Sequence, residues 1–222
     1  MRRAAATVLA VSALGASVGA TSSAFSAQTS NGGNVFEAAA SFAPLTCTLT
    51  PSADTYAAQD DGSQFGSATS LHVQSYETVF LVLPTPRNRR SFVKFDLSSC
   101  SIPAAAEVVS ATLSVFLSSA PNQNRTWNIA RITGSWVEDN VDWPGPAATV
   151  STSLTTGTTS NVTLSADVTS NVASFVSGSQ PNHGWLFSDS SEDSSNQRNG
   201  QFRSREHATV SQRPTLVIAY HP

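Results

Sequence analysis

Apolar and polar residues alternate along most of the chain, and this alternation predicts β-strands. In "VVSATLSVFL", residues 108–117, apolar side chains at every second position from Val109 alternate with Ser and Thr up to Ser114. A period of two places one face of such a strand in a core. The same reasoning places Phe92 and Lys94 on one face of "SFVKFDL". We predict further strands at Thr48–Tyr56, Leu71–Gln74, Trp127–Ile132, Asn161–Ser165, Gly184–Ser188, Gln201–Arg205 and Thr215–Tyr220.

One segment, "DVTSNVASFVSG", follows helical rather than strand spacing. Its apolar side chains stand at positions 168, 172, 175 and 176, and Asp167 before them is a natural N-cap. Gly178 follows the last turn, where a helix commonly ends. About nine short strands and one short helix predict an all-β fold, an antiparallel two-sheet β-sandwich.

The N-terminus indicates export. Arg2 and Arg3 precede a small, uncharged apolar stretch from Ala4 to Val18, which is the pattern of a signal peptide. We predict a signal peptide at residues 1–26, a flexible leader at 27–45 and one β-sandwich domain at 46–222. No other segment is long and apolar enough for a membrane span, so we expect a secreted protein, extracellular or at the cell surface. The formal net charge of −3 argues against nucleic acid as a partner.

The chain has two cysteines, Cys47 and Cys100. An even count in an exported protein favours a disulfide between them, with two free thiols as the alternative. Zinc is not expected, because no Cys or His stands near either cysteine at ligand spacing.

Eight short motifs occur in an order that resembles a known family. They are "ADTY", "FGSATSLHV", "RRSFVKFDLSS", "ARITGSWVEDNVDW", "ADVTSNVASFVSG", "NHGWLF", "FRSRE" and "RPTLVIAY". Together, from Ala53 to Tyr220, they resemble the DNRLRE domain, related to carbohydrate-binding module family 96. The resemblance implies a jelly-roll β-sandwich, usually a non-catalytic module, and some relatives bind acidic polysaccharides such as alginate. The chain departs from the family pattern at Phe65, where relatives commonly have Tyr, and at Pro144 after the second tryptophan.

The stretch "WVEDNVDW" places Trp136 and Trp143 around three carboxylates. Exposed indole rings could stack on sugars and bury a large flat area. Alternatively, both rings pack against the sandwich while Glu138 and Asp142 accept hydrogen bonds from backbone amides. We favour packing, because tryptophan is usually largely buried and because the motif recurs in the family pattern. A general acid–base role for the two carboxylates has less support.

Four cations lie within eight positions of this net acidic chain, from Arg87 to Lys94. Guanidinium groups bind carboxylates through paired hydrogen bonds, so a uronate or sulfated polymer is a natural ligand. Phe92 beside Lys94, with an outward Phe116 on the next strand, would add stacking on a solvent-facing sheet. The alternative is a solvated loop plus one residue that is buried under a neighbouring element. The candidate ligand-binding residues are Arg87, Arg89, Arg90, Phe92, Lys94, Phe116, Trp136 and Trp143. Arg203 and Arg205 could contribute, or Arg205 and Glu206 could form an internal ion pair.

A structural calcium ion is a further hypothesis, with Asp54, Asp96 and Asp167 as the candidate ligands. None of the acidic residues follows EF-hand spacing. The acidic run that begins at Asp189 is interpreted as a flexible loop.

No catalytic motif supports an enzyme. Residues 27–222 contain no HExxH pair and no G-x-S-x-G elbow, so we predict no catalytic residues and no required cofactor. The hypothesis is a secreted, non-catalytic module that binds an anionic, uronate-type polysaccharide. The alternatives are a structural or adhesive component of the cell surface or extracellular matrix and, with less support, a polysaccharide lyase or hydrolase.

Overall fold

The computed structural model describes residues 29–31, 34–36 and 43–222, so the predicted signal peptide at residues 1–26 lies outside the described residues. The chain divides into two compact units, Met1–Ala43 and Pro44–Pro222. In the first unit, β1 (Thr29–Asn31) pairs antiparallel with β2 (Asn34–Phe36). No helix in the described part of the chain is long and apolar enough to cross a membrane.

Residues 44–222, all of them described, are mainly β-strands. The strands are β3 (Leu45–Leu49), β4 (Pro51–Ala58), β5 (Ser70–Ser75), β6 (Glu77–Phe80), β7 (Leu83–Pro86), β8 (Arg89–Phe95), β9 (Glu107–Ser119), β10 (Arg125–Ile132), β11 (Ala148–Thr156), β12 (Val162–Asp167), β13 (Trp185–Asp189), β14 (Arg198–Arg203) and β15 (Thr215–His221). The helix α1 (Thr169–Val176) lies between β12 and β13, and 3₁₀ turns cover Leu97–Cys100 and Val210–Gln212. The predicted all-β fold with one short helix is confirmed.

Eleven of these strands form one antiparallel sheet that curls into two layers. One layer has the order β11–β10–β13–β8–β4, and the other has β5–β14–β9–β15–β3, with β12 on the other side of β9. We expected two separate sheets, but the sheet is continuous because β5 also pairs with β8, through Gln74 and Arg89. The remaining pair, β6 and β7, forms a separate hairpin.

The two layers pack face to face around large apolar side chains. The predicted alternation in β9 is confirmed, since Leu113 and Leu117 are almost fully buried. Across the core, the ring of Phe202 on β14 lies 5.1 Å from that of Phe187 on β13 and 6.1 Å from that of Trp127 on β10. Each large side chain buried in this way contributes about 1.5–3 kcal/mol, so the interface between the layers is the main source of stability.

The predicted strand Thr48–Tyr56 is in fact two strands in different layers. Its first residues belong to β3, which pairs with β15, and the rest belong to β4, which pairs with β8. The chain crosses between the layers at Thr50, and side-chain periodicity carries no information about such a crossing. Strand β11 was not predicted, because "ATVSTSLTT" is mostly Ser and Thr and has only three apolar residues to mark an alternation.

The predicted helix and the predicted disulfide are both confirmed. The N-cap is Val168, one residue after the predicted Asp167. Asp167 Oδ1 still accepts a hydrogen bond from the backbone N–H of Thr169 at 2.9 Å, and Val172 on α1 is fully buried. Cys47 on β3 is bonded to Cys100 in the turn after β8, with a Cα–Cα distance of 5.9 Å. The bridge therefore joins β3, the edge strand of the second layer, to the turn that follows β8 of the first layer.

Gly184 and Gly178 both have a positive φ but differ in how closely the chain packs around them. Gly184 has φ +81°, and a Cβ there would collide with the Val93 carbonyl oxygen and lie 2.8 Å from Lys94 Cα. Gly178 has φ +72° and open space around it. We expect Gly178→Ala to cost about 1–2 kcal/mol for the left-handed backbone alone, and Gly184→Ala to cost about 3 kcal/mol or more because β8 must also shift. Urea denaturation of both variants measures this difference, and equal losses would contradict the packing described.

Candidate functional site

The loop 133–147, which contains the "WVEDNVDW" stretch, packs on the outer surface of the first layer. A second apolar cluster forms there from Ala57, Phe92, Ala130, Ile132, Val141 and Leu186. Trp136 packs against this cluster with its ring 6.1 Å from that of Phe92, and Gly145 approaches Phe92 so closely that a Cβ would collide with the ring. The expectation that Phe92 faces solvent was wrong: its side chain is fully buried, because this loop covers it.

Both tryptophans of the motif are half-buried and held by specific contacts. Trp136 Nε1 donates a hydrogen bond to the His183 carbonyl at 2.7 Å. The Arg90 guanidinium stacks over the Trp143 ring, 4.4 Å from its centroid. A shallow cleft of about 310 Å³ opens beside Trp136. The Nε1 edge of Trp136 is already bonded to His183, and one face of the Trp143 ring is covered by Arg90. These contacts agree with the packing interpretation of the motif.

Four charged residues from three distant segments form a network under this loop, which we call the charged network: Asp54, Glu138, Arg205 and Glu206. The Asp54 backbone N–H donates to Glu138 Oε1 at 2.7 Å, and the Arg205 backbone N–H donates to Asp54 Oδ2 at 2.8 Å. The Arg205 guanidinium donates to both oxygens of Glu138, at 2.8 and 2.7 Å, and lies 2.7 Å from Glu206 Oε1. The suggested ion pair of Arg205 and Glu206 is present, and Glu138 completes it.

The network exists because β4 is an edge strand of its layer. Among the described strands β4 pairs with β8 alone, so the backbone donor of Asp54 needs an acceptor from outside the sheet. Glu138 supplies that acceptor and thereby fixes the loop to the strand edge. Asp54 itself is fully buried; burial, and to a smaller degree the nearby Glu206 and Glu138, raises its pKa to about 8, although the hydrogen bond from Arg205 opposes this.

Two of the four residues of the predicted basic cluster are paired with acidic side chains. Arg90 makes two hydrogen bonds to Glu192, at 2.8 and 2.7 Å, and Arg87 lies 3.7 Å from Asp60 at the surface. Lys94 is half-buried and forms no ion pair within residues 43–222. Arg89 also has no carboxylate partner there; it contacts His72 and Tyr56 instead, as described below. The basic residues therefore do not form one free surface.

Phe116 does not join the basic segment either. It lies on β9, whose neighbours are β12, β14 and β15, whereas β8 lies beside β4, β13 and β5. Strands β8 and β9 are consecutive in the chain but are not adjacent in the sheet. The expectation that Phe92 and Phe116 share a face was therefore wrong. Phe116 is half-buried and opposite Thr163 of β12.

The three candidate calcium ligands have different roles in the structure. Asp96 and Asp167 are turn caps: each accepts a hydrogen bond from a backbone N–H two residues later, at 3.0 and 2.9 Å. Hydrogen bonds from the hydroxyl groups of Ser98 and Thr169, together with these backbone bonds, lower the pKa of both carboxyls. Asp54 alone lies among other carboxylates: it, Glu138 and Glu206 offer oxygens that all lie within 4.8 Å of one another.

The acidic run that begins at Asp189 is held in place by hydrogen bonds, which corrects its interpretation as a flexible loop. Asp189 is buried at the end of β13 and accepts two bonds from the Arg125 guanidinium, at 2.8 and 2.6 Å. Asp193 accepts a bond from Asn88 at 2.6 Å, and Glu192 holds Arg90.

A polar face on two adjacent strands was missed from the sequence. Strands β5 and β14 pair in register, with Leu71 opposite Phe202 in the core. The alternate residues point the other way and are half-buried; we call them the β5–β14 face: Ser70, His72, Asn199, Gln201 and Arg203. The polar alternation in "NGQFR" was visible in the sequence, but the pairing of β14 with β5, about 130 residues away in the chain, was not.

Arg89 reaches this face from β8. Its Nη1 lies 3.3 Å from His72 Nδ1, and its guanidinium lies over the Tyr56 ring at 5.9 Å from the centroid. Tyr56 in turn stacks on Phe65, with ring centroids 4.0 Å apart. Burial and the neighbouring Arg89 charge lower the pKa of His72 to about 4, so the imidazole is neutral at pH 7. Neither Arg89 nor Arg203 forms an ion pair within residues 43–222.

The family of the chain follows from its sequence. A family model of carbohydrate-binding module family 96 matches residues 45–220. No curated protein matches the chain.

Removing one charge of the network should destabilise the fold. Glu138→Gln leaves the Asp54 amide with an acceptor but weakens the bond to a partly buried guanidinium, so we expect a loss of about 2–3 kcal/mol in the free energy of unfolding. Asp142→Asn is the matched control, because Asp142 is exposed and its side chain accepts a single bond, from Gln64; we expect a change below about 0.5 kcal/mol. Chemical denaturation tests both, and a Glu138→Gln variant as stable as the control would refute the role of the network.

His72 should make stability depend on pH. Its pKa is about 4 in the folded protein and 6.5 in the reference state, so between these values the unfolded chain binds a proton that the folded chain does not. Stability is therefore complete above pH 6.5 and falls by about 3 kcal/mol as the pH drops to 4. We expect His72→Gln to lack this part of the slope in denaturation curves measured from pH 7 to 4. Parallel slopes in the two proteins would contradict the prediction.

Proposed function

Because the chain belongs to carbohydrate-binding module family 96, we propose that it is a secreted, non-catalytic module that binds an anionic, uronate-type polysaccharide on the β5–β14 face. The observation that carries the proposal is the pair of arginines on this face, Arg89 and Arg203, which have no carboxylate partner within residues 43–222. We also propose that the curled sheet is a jelly roll in its strand connections.

The chemistry of the face suits a sugar acid. Guanidinium groups bind carboxylates through two parallel hydrogen bonds and are weakly hydrated, so they exchange water for a sugar carboxylate at small cost. The amides of Asn199 and Gln201 lie between the cations and supply donors and acceptors for hydroxyl groups. Phe65 and Phe116 at the borders of the face offer apolar rings for sugar CH groups.

The spacing along the face favours a polymer. The Arg89 guanidinium lies 3.3 Å from His72 and that of Arg203 lies 3.5 Å from Ser70, so the two charged groups are about two residues of β5 apart. At about 3.3 Å per residue this is roughly 7 Å, and a ligand that contacts both must extend over that distance. An oligosaccharide with a carboxylate on each of two neighbouring sugars fits both cations.

The test is the affinity for oligo-uronates of matched variants. Arg203→Gln should weaken binding roughly tenfold or more, because it removes a charge-assisted contact, and raising the salt concentration should weaken the wild type. Lys94→Gln is the control, because Lys94 is also without an ion pair but lies away from this face; its affinity should be unchanged. Isothermal titration measures both. Equal effects of the two substitutions, or none from Arg203→Gln, would sink the proposed surface.

A second candidate function is a structural or adhesive component of the cell surface or matrix. It is favoured by the β6–β7 hairpin, whose side chains Val79, Leu81, Val82 and Leu83 are 72, 77, 89 and 67% exposed. Leu81 and Val82 also have positive φ, at 47° and 72°, where Asn and Gly are the usual residues. A contiguous apolar tip in an unfavourable turn suits contact with another protein better than contact with water.

Replacing the tip separates this candidate from the first. Leu81→Asn with Val82→Gly suits the turn and removes the apolar tip, so the fold should be retained. If the hairpin is an assembly contact, concentration-dependent sedimentation of the wild type should show oligomers that the double variant loses, with glycan affinity unchanged. A monomeric wild type at all concentrations, with no attachment to surface proteins, would remove the second candidate.

A further inference from the structure

The charged network contains two buried oxygens that have no hydrogen-bond partner. Asp54 is fully buried and its Oδ1 has no donor within reach; Glu206 Oε2 is shielded in the same way. The carboxyl groups of Asp54 and Glu206 lie close together, and such a buried pair needs a positive charge between its oxygens, either a shared proton or a metal cation. Arg205 does not supply it, because its donors are directed to Glu138 and to Glu206 Oε1.

We propose that Asp54, Glu138 and Glu206 bind one calcium ion. One oxygen of each lies within 4.8 Å of the others, and two ligands of the same calcium ion, each 2.3–2.6 Å from it, are at most about 5 Å apart. The three oxygens can therefore reach a common ion without a change of fold.

The charge of the network matches a divalent cation. With all three carboxyl groups ionised, as metal binding requires, the three carboxylates and one guanidinium leave two negative charges in a partly buried site, and a divalent ion balances them. Calcium is the preferred ion because it accepts carboxylates in irregular arrangements, whereas magnesium requires a near-ideal octahedron and keeps several waters. The Glu138 and Glu206 side chains are 18 and 23% exposed, so waters can complete the six to eight oxygens that calcium takes.

The ion would connect segments that are distant in sequence. Asp54 lies on β4, Glu138 on the loop 133–147, and Glu206 beyond the end of β14. Binding requires the folded arrangement, so calcium should stabilise the folded state relative to the unfolded chain.

The test uses the full protein after removal of metal with EDTA, titrated with calcium chloride at pH 8. We expect isothermal titration to show one site, and the melting temperature to rise by about 3–6 °C at roughly ten times the measured Kd. Magnesium at the same concentration should produce a smaller rise. Asp54→Asn and Glu206→Gln should each abolish the shift, and Asp96→Asn, a turn cap outside the cluster, should retain it.

The outcomes are decisive even if one variant does not fold. Circular dichroism of each variant establishes folding, and Glu206→Gln decides the question if Asp54→Asn is unfolded. The proposal is wrong if the wild type shows neither binding heat nor a shift up to about 10 mM calcium, above the range of weak extracellular sites. It is also wrong if Glu206→Gln responds like the wild type, or if Asp96→Asn loses the response. Because glycan binding is measured separately, none of these results depends on the proposed function.

Discussion

The burial of the Asp54 carboxylate at the edge of β4 is the constraint on which the candidate site depends. An edge strand has backbone donors that no neighbouring strand accepts, and here a glutamate from a loop 84 residues away accepts one of them. Arg205 then holds that glutamate through two hydrogen bonds. The "ADTY", "WVEDNVDW" and "FRSRE" motifs are therefore parts of one structural unit, which explains why a chain of this fold carries all three.

This arrangement determines which surface is available for a ligand. The loop that the network anchors covers Phe92, and its own Trp136 is engaged through the ring by Phe92 and through Nε1 by the His183 carbonyl. Arg90 is used twice, by Glu192 and by the Trp143 ring. Residues committed to internal contacts have little binding energy left for a polysaccharide, because any new contact must replace an existing one. The β5–β14 face is different, since Arg89 and Arg203 have no carboxylate partner among residues 43–222 and its amides are half exposed.

Sequence periodicity was sufficient for the strands whose alternate residues are apolar, such as β9, and for the amphipathic helix α1. It was not sufficient where pairing decides the result. Phe92 lies on the polar side of an alternating strand, yet it is buried because a loop folds over that side. Phe116 was assigned to the strand next to β8, but strands consecutive in sequence are separated here by β5 and β14. Arg203 was noticed in the sequence, whereas its neighbours Ser70 and His72 could be found only from the register of β5 with β14.

The central claim is that Trp136 and Trp143 in the loop 133–147 hold the fold together and that a glycan binds to the β5–β14 face. Amide chemical-shift mapping tests it most directly, with ¹⁵N-labelled protein titrated with an oligo-uronate. The account predicts that the largest shifts occur at residues 70–74 and 199–203, with small shifts in the loop 133–147. The largest shifts at Trp136 and Trp143, with none on β5 and β14, would contradict it.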